Sequence, residues 1–281
     1  MLNAGALENS GWELLLRANP IRTRDFSWDL TVNWSKNTSK VTELYGDLET
    51  LVLGGRFGLY VEARLGEPYG VLFGNGYLRD DQGRLLLTAD GLPQRNEERE
   101  VLGNYNPDWV GGMQNRFSFG PFDLSVLVDG QRGGDVFSGT DYWGEYAGVL
   151  ESTLEGREND FCDPGMIVDG ILPDGSQNTS VSVCPQRFFG RNQGIQESAI
   201  YDATYIKLRE ARLGFELPSQ WVTWSGFTAA NFSLIGRNLF LWSPNMPNID
   251  PETAFDPSNV QGIESGQFPT ARSFGFALSL R

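Results

Sequence analysis

Acidic side chains are the first candidates for chemistry, since the chain holds 36 Asp and Glu against 22 Lys and Arg and has no His. Asp80-Asp81 and Asp250-Pro251-Glu252 bring carboxyl groups close together in sequence, as a catalytic acid and base or a calcium ion would require. Neither run makes a calcium-binding loop, and no pattern identifies two carboxylates about 5 Å apart in a cleft, as a retaining glycosidase needs. We interpret these acids as solvated or turn-forming. Because a Ser-His-Asp or His-zinc mechanism cannot be built without His, the sequence predicts no catalytic residue, no metal and no cofactor.

The two cysteines are the other reactive side chains. Cys162 and Cys184 both lie in a polar stretch rich in Gly, Pro and Asn, and they lack the C-x-x-C spacing of redox and zinc motifs. They form either a disulfide in an oxidising compartment or two unrelated thiols. A disulfide closing a loop of this length would remove roughly 3 kcal/mol of unfolded-state entropy.

Composition limits the class of protein. A net charge of -14 argues against nucleic acid as a partner, because binding to phosphates needs clustered Lys and Arg. Aromatic residues at 12% together with 34 Gly are typical of β-barrels and β-sandwiches. The sequence has neither a signal peptide nor a long apolar run, and it enters a strand almost at once, so we expect Met1 to be the arbitrary start of a fragment.

Alternation of apolar and polar residues is the dominant pattern, and it predicts strands with two different faces. The clearest case is residues 26–35, where five large apolar side chains alternate with five polar ones. The apolar residues there are Phe26, Trp28, Leu30, Val32 and Trp34. The last strand repeats the pattern with Phe274, Phe276, Leu278 and Leu280.

About nine strands are predicted in this way. They form a hairpin over 11–36 with its turn at Asn19-Pro20, two less regular strands within 56–80, two over 108–132 around Gly120-Pro121, two over 205–242, and one over 273–280. Tight turns near 20, 67, 120 and 220 alternate with long polar excursions at about 37–55, 80–107, 133–203 and 243–267.

Transmembrane barrels have this alternation of short periplasmic turns and long extracellular loops. The pattern therefore favours an antiparallel transmembrane β-barrel segment whose apolar face meets outer-membrane lipid. A soluble β-sandwich is the alternative, in which that face would be a shared core and the connections would be shorter and more even.

Several segments resemble the SusC/RagA type of TonB-dependent outer-membrane transporters, in the family's order. They are GWELLLRANPIRTRDFSWDLTVNWSKNTSKVTEL, GEPYGVLFGNGYLRD, LGNYNPDWVGGMQNRFSFGPFDLSVLVDGQRGGDVFS, YIKLREARLGFELP, LIGRNLFLW and PTARSFGFALSL. The resemblance covers most of the chain apart from the loop at about 155–200.

The resemblance implies a 22-stranded barrel of the bacterial cell outer membrane, filled by an amino-terminal plug. Members pair with a SusD-like surface lipoprotein and import oligosaccharides or peptides, using energy from TonB with ExbB and ExbD. Residues 1–281 would be the carboxy-terminal part of that barrel, with the plug domain absent from this chain. The competing function is a secreted soluble β-sandwich that binds carbohydrate.

Substrate contacts in such an importer are expected from aromatic and polar side chains on the outer loops and in the upper lumen. The loop candidates are Tyr142, Trp143 and Tyr146, which alternatively pack their loop against the lipoprotein or the barrel itself. Weaker lumen candidates, at the outer end of a strand, are Asp129, Gln131 and Arg132.

Overall fold

The computed structural model describes residues 5–254, 256 and 258–281. Its strands are β1 (Gly5–Arg22), β2 (Phe26–Leu44), β3 (Thr50–Arg56), β4 (Leu59–Arg64), β5 (Val71–Tyr77), β6 (Arg95–Asn104), β7 (Pro107–Phe119), β8 (Phe122–Gly133), β9 (Asp135–Ser138), β10 (Met166–Ile167), β11 (Ser182–Val183), β12 (Ile200–Asp202), β13 (Tyr205–Glu216), β14 (Ala230–Trp242), β15 (Ile263–Glu264) and β16 (Ser273–Leu280). The α-helices are α1 (Gly139–Ala147) and α2 (Pro185–Asn192). Neither of these two described helices is long and apolar enough to cross a membrane.

A single antiparallel sheet, which we call the wall, contains seven strands in the described residues. Their order is β1-β2-β7-β8-β13-β14-β16. Short connections at 23–25, 120–121 and 217–229 lie at one end of the wall, here called the turn end. Arg281 lies at the same end, where its N–H donates to the carbonyl of Ala229 at 3.0 Å.

The register gives the wall one continuous apolar face. The side chains of residues paired across neighbouring strands point to the same side of a sheet, so all members of one row of partners lie on one face. One row is Leu16, Val32, Met113, Val128, Leu208 and Phe240. A second row on the same face, nearer the turn end, is Trp28, Phe117, Leu124, Leu213, Leu234 and Phe276.

The opposite face of the wall is polar. A row on this side runs through Arg17, Thr31, Gln114, Leu127, Glu210, Arg237 and Ser273. Because side chains alternate along a strand, the sequence pattern and the register together separate the two faces across the whole sheet.

No second sheet covers the apolar face within the described residues. Phe274 and Phe276 are 77% and 75% exposed, while Trp28 and Val126 are half-buried only by their neighbours in the wall. A β-sandwich would bury these rings between two sheets. The apolar face is therefore an outer surface, as the barrel interpretation predicts.

The three long connections, 45–106, 134–204 and 243–272, lie together at the other end of the wall and form what we call the cap. Its core contains buried side chains from all three: Leu59, Val61, Leu72, Phe137, Tyr142, Ala199 and Ile263. Strand β9 of the second connection pairs antiparallel with β12 and parallel with β15 of the third. Residues 243–272, called the strap below, are thus joined to the rest of the cap by backbone hydrogen bonds.

The predicted count of nine wall strands is corrected to seven for the described chain. The two strands expected within 56–80 exist as β4 and β5, but they belong to a separate four-stranded sheet, β3-β4-β5-β6, in the cap. Their apolar residues Leu59, Val61 and Leu72 are fully buried there, so alternation in this segment reflects a cap core. The tight turn predicted near 67 therefore connects β4 and β5 in the cap, and the other three predicted turns belong to the turn end of the wall.

The turn predicted at Asn19-Pro20 is also corrected. Both residues lie inside β1, where the register with β2 shifts between Ala18 and Ile21. Proline lacks an N–H and is tolerated in a strand at such a bulge. The chain reverses at 23–25 instead, where the N–H of Phe26 donates to the hydroxyl of Thr23 at 3.0 Å.

Candidate functional site

A cavity of about 420 Å³ lies where the polar face of the wall meets the cap, and we call it the vestibule. Gln131 and Tyr205 are direct partners across β8 and β13 and stand on the polar face. The lining residues are Tyr105, Pro107, Gln131, Val136, Ala203, Tyr205, Pro251, Glu252, Gln261 and Gly262. The wall thus contributes one side of the vestibule and the strap the other.

Glycine positions the ring of Tyr105. Gly70 (φ +87°) and Gly262 (φ +79°) both have left-handed backbone conformations, and a Cβ on Gly70 would clash with the Tyr105 ring. The ring lies directly on the Gly70 backbone as a result. Burial raises the pKa of Tyr105 to about 12, so its hydroxyl stays protonated and can donate at neutral pH.

A buried lysine fixes the strap to the wall. Lys207 lies on the polar face of β13 and its side chain is only 2% exposed, as is that of Asp250. Its ammonium donates to a carboxylate oxygen of Asp250 at 2.8 Å and to the hydroxyl of Thr270 at 2.9 Å, and it also contacts Glu252. All three partners belong to the strap.

Arg209 extends this cluster to the next wall strand. It sits at a bulge in β13, where the register shifts between Leu208 and Glu210. Its guanidinium donates to both oxygens of Glu252, at 2.7 and 2.8 Å, and also pairs with Asp129 of β8. Planar guanidinium–carboxylate pairing of this kind adds geometric specificity as well as charge neutralisation.

The strap carboxylates are held ionised. Burial on its own would raise the pKa of Asp250, but hydrogen bonds from Lys207 and Thr270 bring that pKa below its ordinary value. Burial acts the same way on Glu252, and the donors of Arg209 and Lys207 lower the pKa of that carboxyl as well. Both oxygens of Glu252 are therefore occupied by donors from the protein.

The structure separates the predicted lumen residues. Asp129 is on the polar face and is engaged by Arg209, and Gln131 lines the vestibule while donating to the carbonyl of Ala203 at 3.1 Å. Arg132 is a correction, because it pairs with Trp109 on the face opposite to Gln131. Arg132 is not among the residues that line the vestibule.

The aromatic residues of the longest loop lie on α1. The helix begins at Ser138, whose hydroxyl accepts from the N–H of Asp141 at 2.9 Å, and it ends at Gly148 in the left-handed conformation. Tyr142 faces the cap core, is 4% exposed, and donates its hydroxyl to the carbonyl of Gln193. Trp143 and Tyr146 are 47% and 54% exposed, with ring centroids 6.0 Å apart. Of the two roles considered for Tyr142, the structure supports packing within the cap.

The strap also holds α1 at its start. Glu264 of β15 is fully buried, and its carboxylate accepts from the N–H of Thr140 at 2.9 Å and of Gln267 at 3.0 Å. A carboxylate at a helix N-terminus satisfies free N–H groups and interacts favourably with the helix dipole.

Cys162 and Cys184 are joined in a disulfide, with Cα atoms 4.6 Å apart. The bond closes residues 162–184 between α1 and α2, and Cys184 is the residue preceding α2. It lies on the cap, away from the vestibule lining.

Sequence reasoning missed the residues that organise this site. Lys207 and Arg209 were read only as part of an alternating strand, and Asp250 and Glu252 as solvated acids. The turn-forming role of Asp250 is real, since its carboxylate accepts from the N–H of Glu252 at 3.1 Å, but its burial is a correction. The available signal was a lysine at a polar-face position of a strand, together with the acidic run Asp250-Pro251-Glu252 in the following long connection.

No family model matches the chain. TonB-dependent receptor P3 of Formosa agariphila is 25% identical over 99% of this chain and 29% of its own length. TonB-dependent receptor SusC of Bacteroides thetaiotaomicron is 21% identical over 99% of this chain and 27% of its own length. The chain thus spans less than a third of these relatives.

Solved structures with the same fold include the RagAB peptide transporter. Its match has a TM-score of 0.68 at 18% identity and covers 99% of this chain and 30% of that chain. The chain is similar, in sequence and in fold, to a barrel segment of SusC/RagA-type TonB-dependent receptors. The predicted family and the predicted antiparallel barrel class are confirmed. Receptors of this type are outer-membrane proteins, so the apolar face of this receptor segment meets the lipid of the bacterial outer membrane.

The cap of the receptor segment then lies at the extracellular end of the wall and the turn end faces the periplasm. The relatives are named as receptors and transporters, and none of these names describes an enzyme.

Proposed function

We propose that this chain is the carboxy-terminal part of the barrel of an outer-membrane importer that takes up oligosaccharides or peptides. The observation that carries the proposal is the two-faced wall: an exposed apolar face on one side, and a polar face leading into the vestibule on the other. A sheet that meets lipid on one side and water on the other is what a nutrient channel needs.

The wall is one part of a larger closed structure in this proposal. Strands β1 and β16 are at the edges of the described sheet, and unpaired strand edges are not tolerated within a bilayer. Further strands of a 22-stranded barrel would pair with both edges. A plug domain elsewhere in the protein would fill the lumen against the polar face.

The proposed partners act at the two ends. A SusD-like surface lipoprotein would sit on the extracellular cap, where Trp143 and Tyr146 offer exposed aromatic surface. TonB with ExbB and ExbD would supply energy from the periplasmic side through the plug. Transport, not catalysis, is the proposed activity.

The test uses the full-length protein in its host. A deletion strain is complemented with the wild-type gene, and uptake of fluorescent oligosaccharides and of fluorescent peptides is measured with and without TonB. We expect the protein in the outer-membrane fraction with heat-modifiable migration, and TonB-dependent uptake of one ligand class. Recovery of a soluble periplasmic or secreted protein, or uptake that is the same without TonB, would refute the proposal.

The matched membrane control is a charge on the lipid face. Phe276→Lys should reduce the folded fraction in the outer membrane, whereas Ala277→Lys, the neighbouring residue on the polar face, should leave it nearly unchanged. Equal effects would contradict the assignment of the two faces.

A further inference from the structure

Charge on the apolar face of the wall is confined to its cap end. In the described wall, no row of that face from the turn end up to Trp34 contains a charged side chain. The next row towards the cap crosses β1, β2, β7 and β8, and we call it the rim row. Its members are Trp12, Lys36, Trp109 and Arg132. In a chain with a net charge of -14, the first charges beyond the lipid-facing surface are thus both cations.

The strand register fixes the positions in the rim row. Trp12 is the direct partner of Lys36, and Trp109 is the direct partner of Arg132. Continuing the pairing of β2 with β7 by one residue places Lys36 beside Trp109. Because neighbouring strands are about 4.8 Å apart, the Cα atoms of the two cations are separated by roughly 10 Å.

The rim row lies at the depth of lipid headgroups. Lys36 is ten residues along β2 from Phe26, the first residue of that strand at the turn end. At about 3.3 Å per residue this is roughly 33 Å along the strand. With the tilt of about 40° that transmembrane strands have, the height is roughly 25 Å, which is the height of the apolar band of outer-membrane barrels. Tryptophan is also favoured at this level of a membrane.

The two cations of the rim row are accessible. Lys36 and Arg132 are exposed, and Trp12 is 77% exposed. Neither cation forms an ion pair with a described residue, and both β2 and β8 have strands of this chain on either side. By contrast, the next charged residues towards the cap, Glu8 and Lys40, are direct cross-strand partners of opposite charge. Lys36 and Arg132 are therefore the cations that a ligand in the membrane meets first.

The apolar surface directly below the rim row is low. Gly111 and Gly130 are direct partners on β7 and β8, one row nearer the middle of the membrane than Trp109 and Arg132. Neither has a side chain, so the sheet projects least into the lipid at this point. Glycine within a strand often marks a place where another group approaches the backbone closely. An acyl chain can pack there while its headgroup reaches the cations above it.

Phosphate is the headgroup chemistry that this arrangement fits. Arginine pairs with phosphate oxygens through its planar fork, and lysine binds them as a compact charge. Both side chains can keep their aliphatic stems on apolar surface while the charged ends stay at the interface. The indole N–H groups of tryptophan are further donors.

We propose that the rim row binds the phosphate-bearing headgroup of a lipid in the outer leaflet, with Lys36 and Arg132 contacting the phosphate. A lipid is the expected ligand, and not a soluble phosphate, because the row is continuous with the lipid-facing surface and has apolar surface beneath it. The site is on the outside of the wall, so it goes beyond the proposed import function and is independent of the cargo.

Lipid binding to the full-length receptor in detergent tests the site, with EDTA present to remove divalent cations that bridge phosphates. The probes are lipid A with two phosphates, the same lipid with its phosphates removed, and inorganic phosphate, and bound lipid is counted by native mass spectrometry. We expect the phosphorylated lipid to bind roughly twentyfold more tightly than the dephosphorylated one, the effect of two cations. Millimolar inorganic phosphate should not displace it. Equal binding of the two lipids, or displacement by inorganic phosphate, would overturn the proposal.

Variants locate the phosphate contact. Lys36→Gln and Arg132→Gln should each weaken binding of phosphorylated lipid A about fivefold, and the double variant should lose roughly twentyfold. Binding of the dephosphorylated lipid should stay the same. The matched control is Lys40→Gln, an exposed lysine on the same strand and face that lies opposite Glu8, and it should leave binding unchanged. An equal loss in the control, or no loss in the double variant, contradicts the assignment.

Two further measurements separate loss of the site from loss of the fold. Lys36→Arg keeps the charge and should keep the affinity, and heat-modifiable migration reports whether each variant is a folded barrel. If a glutamine variant does not fold, the comparison of the two lipids on the wild-type receptor still decides the proposal. Outer-membrane location and TonB-dependent uptake can persist in the double variant, so failure of the lipid site is distinguishable from failure of the import function.

Discussion

Replacing Lys207 by Met should release the strap from the wall. Methionine keeps much of the apolar stem but removes the ammonium that Asp250, Glu252 and Thr270 share. Asp250 is then left as a buried carboxylate, 2% exposed, with Thr270 as its remaining side-chain donor. The strap has to open, or Asp250 has to take up a proton.

The magnitude follows from burial. Removing one partner of a buried ion pair typically costs about 3–5 kcal/mol. Glu252 is 29% exposed and keeps Arg209, so the loss falls mainly on Asp250 and we expect the lower end, about 3 kcal/mol. Since each 1.4 kcal/mol is a factor of ten, local opening should become roughly a hundredfold more frequent.

Hydrogen exchange of the full-length receptor in detergent measures that opening. Amide exchange in residues 246–254 and 263–270 should accelerate by the expected factor, while β7 and β8 are unaffected. Arg237→Gln is the control, because its pair with Glu210 is on the same polar face but the arginine side chain is 61% exposed. An exposed pair contributes about 1 kcal/mol or less.

The result that refutes this reasoning is equal exchange in the Lys207→Met and Arg237→Gln proteins. A second variant sharpens the test: Lys207→Met combined with Asp250→Leu removes the unpaired charge as well as its partner. Part of the protection should return in the double variant if charge burial is the cause. Further loss of protection would mean that packing alone holds the strap.

Three further predictions concern the wall, the strap and the cap. Phe276→Lys should destabilise the folded receptor by about 2–4 kcal/mol and Ala277→Lys by much less, measured by denaturant unfolding in detergent. Because folding lowers the pKa of Asp250, the stabilising contribution of its carboxylate is present above the ordinary value of 3.8 and is lost as pH falls through the folded pKa. Amide exchange in the strap should therefore rise only in strong acid. A rise near neutral pH would contradict the ion pair. Replacing Cys162 and Cys184 by Ser should remove about 3 kcal/mol of loop constraint, seen as faster protease cleavage between the two positions, and equal cleavage of oxidised and reduced wild type would exclude a stabilising bond.

Local pattern was sufficient for most wall strands. The predicted ranges 108–132, 205–216 and 273–280 agree closely with β7, β8, β13 and β16. In each, a strand with lipid on one face and water on the other leaves a strict period of two in the sequence. The Gly120-Pro121 turn was equally readable, because only two residues connect the strands.

Alternation gave a wrong prediction where the apolar face of a strand contacts a protein core instead of lipid. Strands β4 and β5 alternate because one face packs in the cap core, and alternation does not identify what its apolar face contacts. Asn19-Pro20 failed for a related reason: turn-forming residues also serve at a bulge. Avoiding either error requires knowing the partner strand, which no local sequence pattern provides.

The candidate site was less predictable than the fold. Gln131 was named for its place at the outer end of a strand, but Tyr105 and Gln261 lie in connections whose path no local pattern predicts. The disulfide between Cys162 and Cys184 could be proposed from spacing, since both cysteines are in one loop.

The sequence by itself determined a two-faced, antiparallel β protein that resembles the SusC/RagA type, because strand alternation and ordered similar segments are local properties of the residues. Tertiary structure alone decided which strands form the wall, that Lys207 and Asp250 meet although 43 residues separate them, and that the vestibule is lined by both the wall and the strap. The physical reason is that pairing of ions and closure of a cavity depend on which distant segments share a desolvated space, and burial decides whether a charged side chain is solvated or must find a partner.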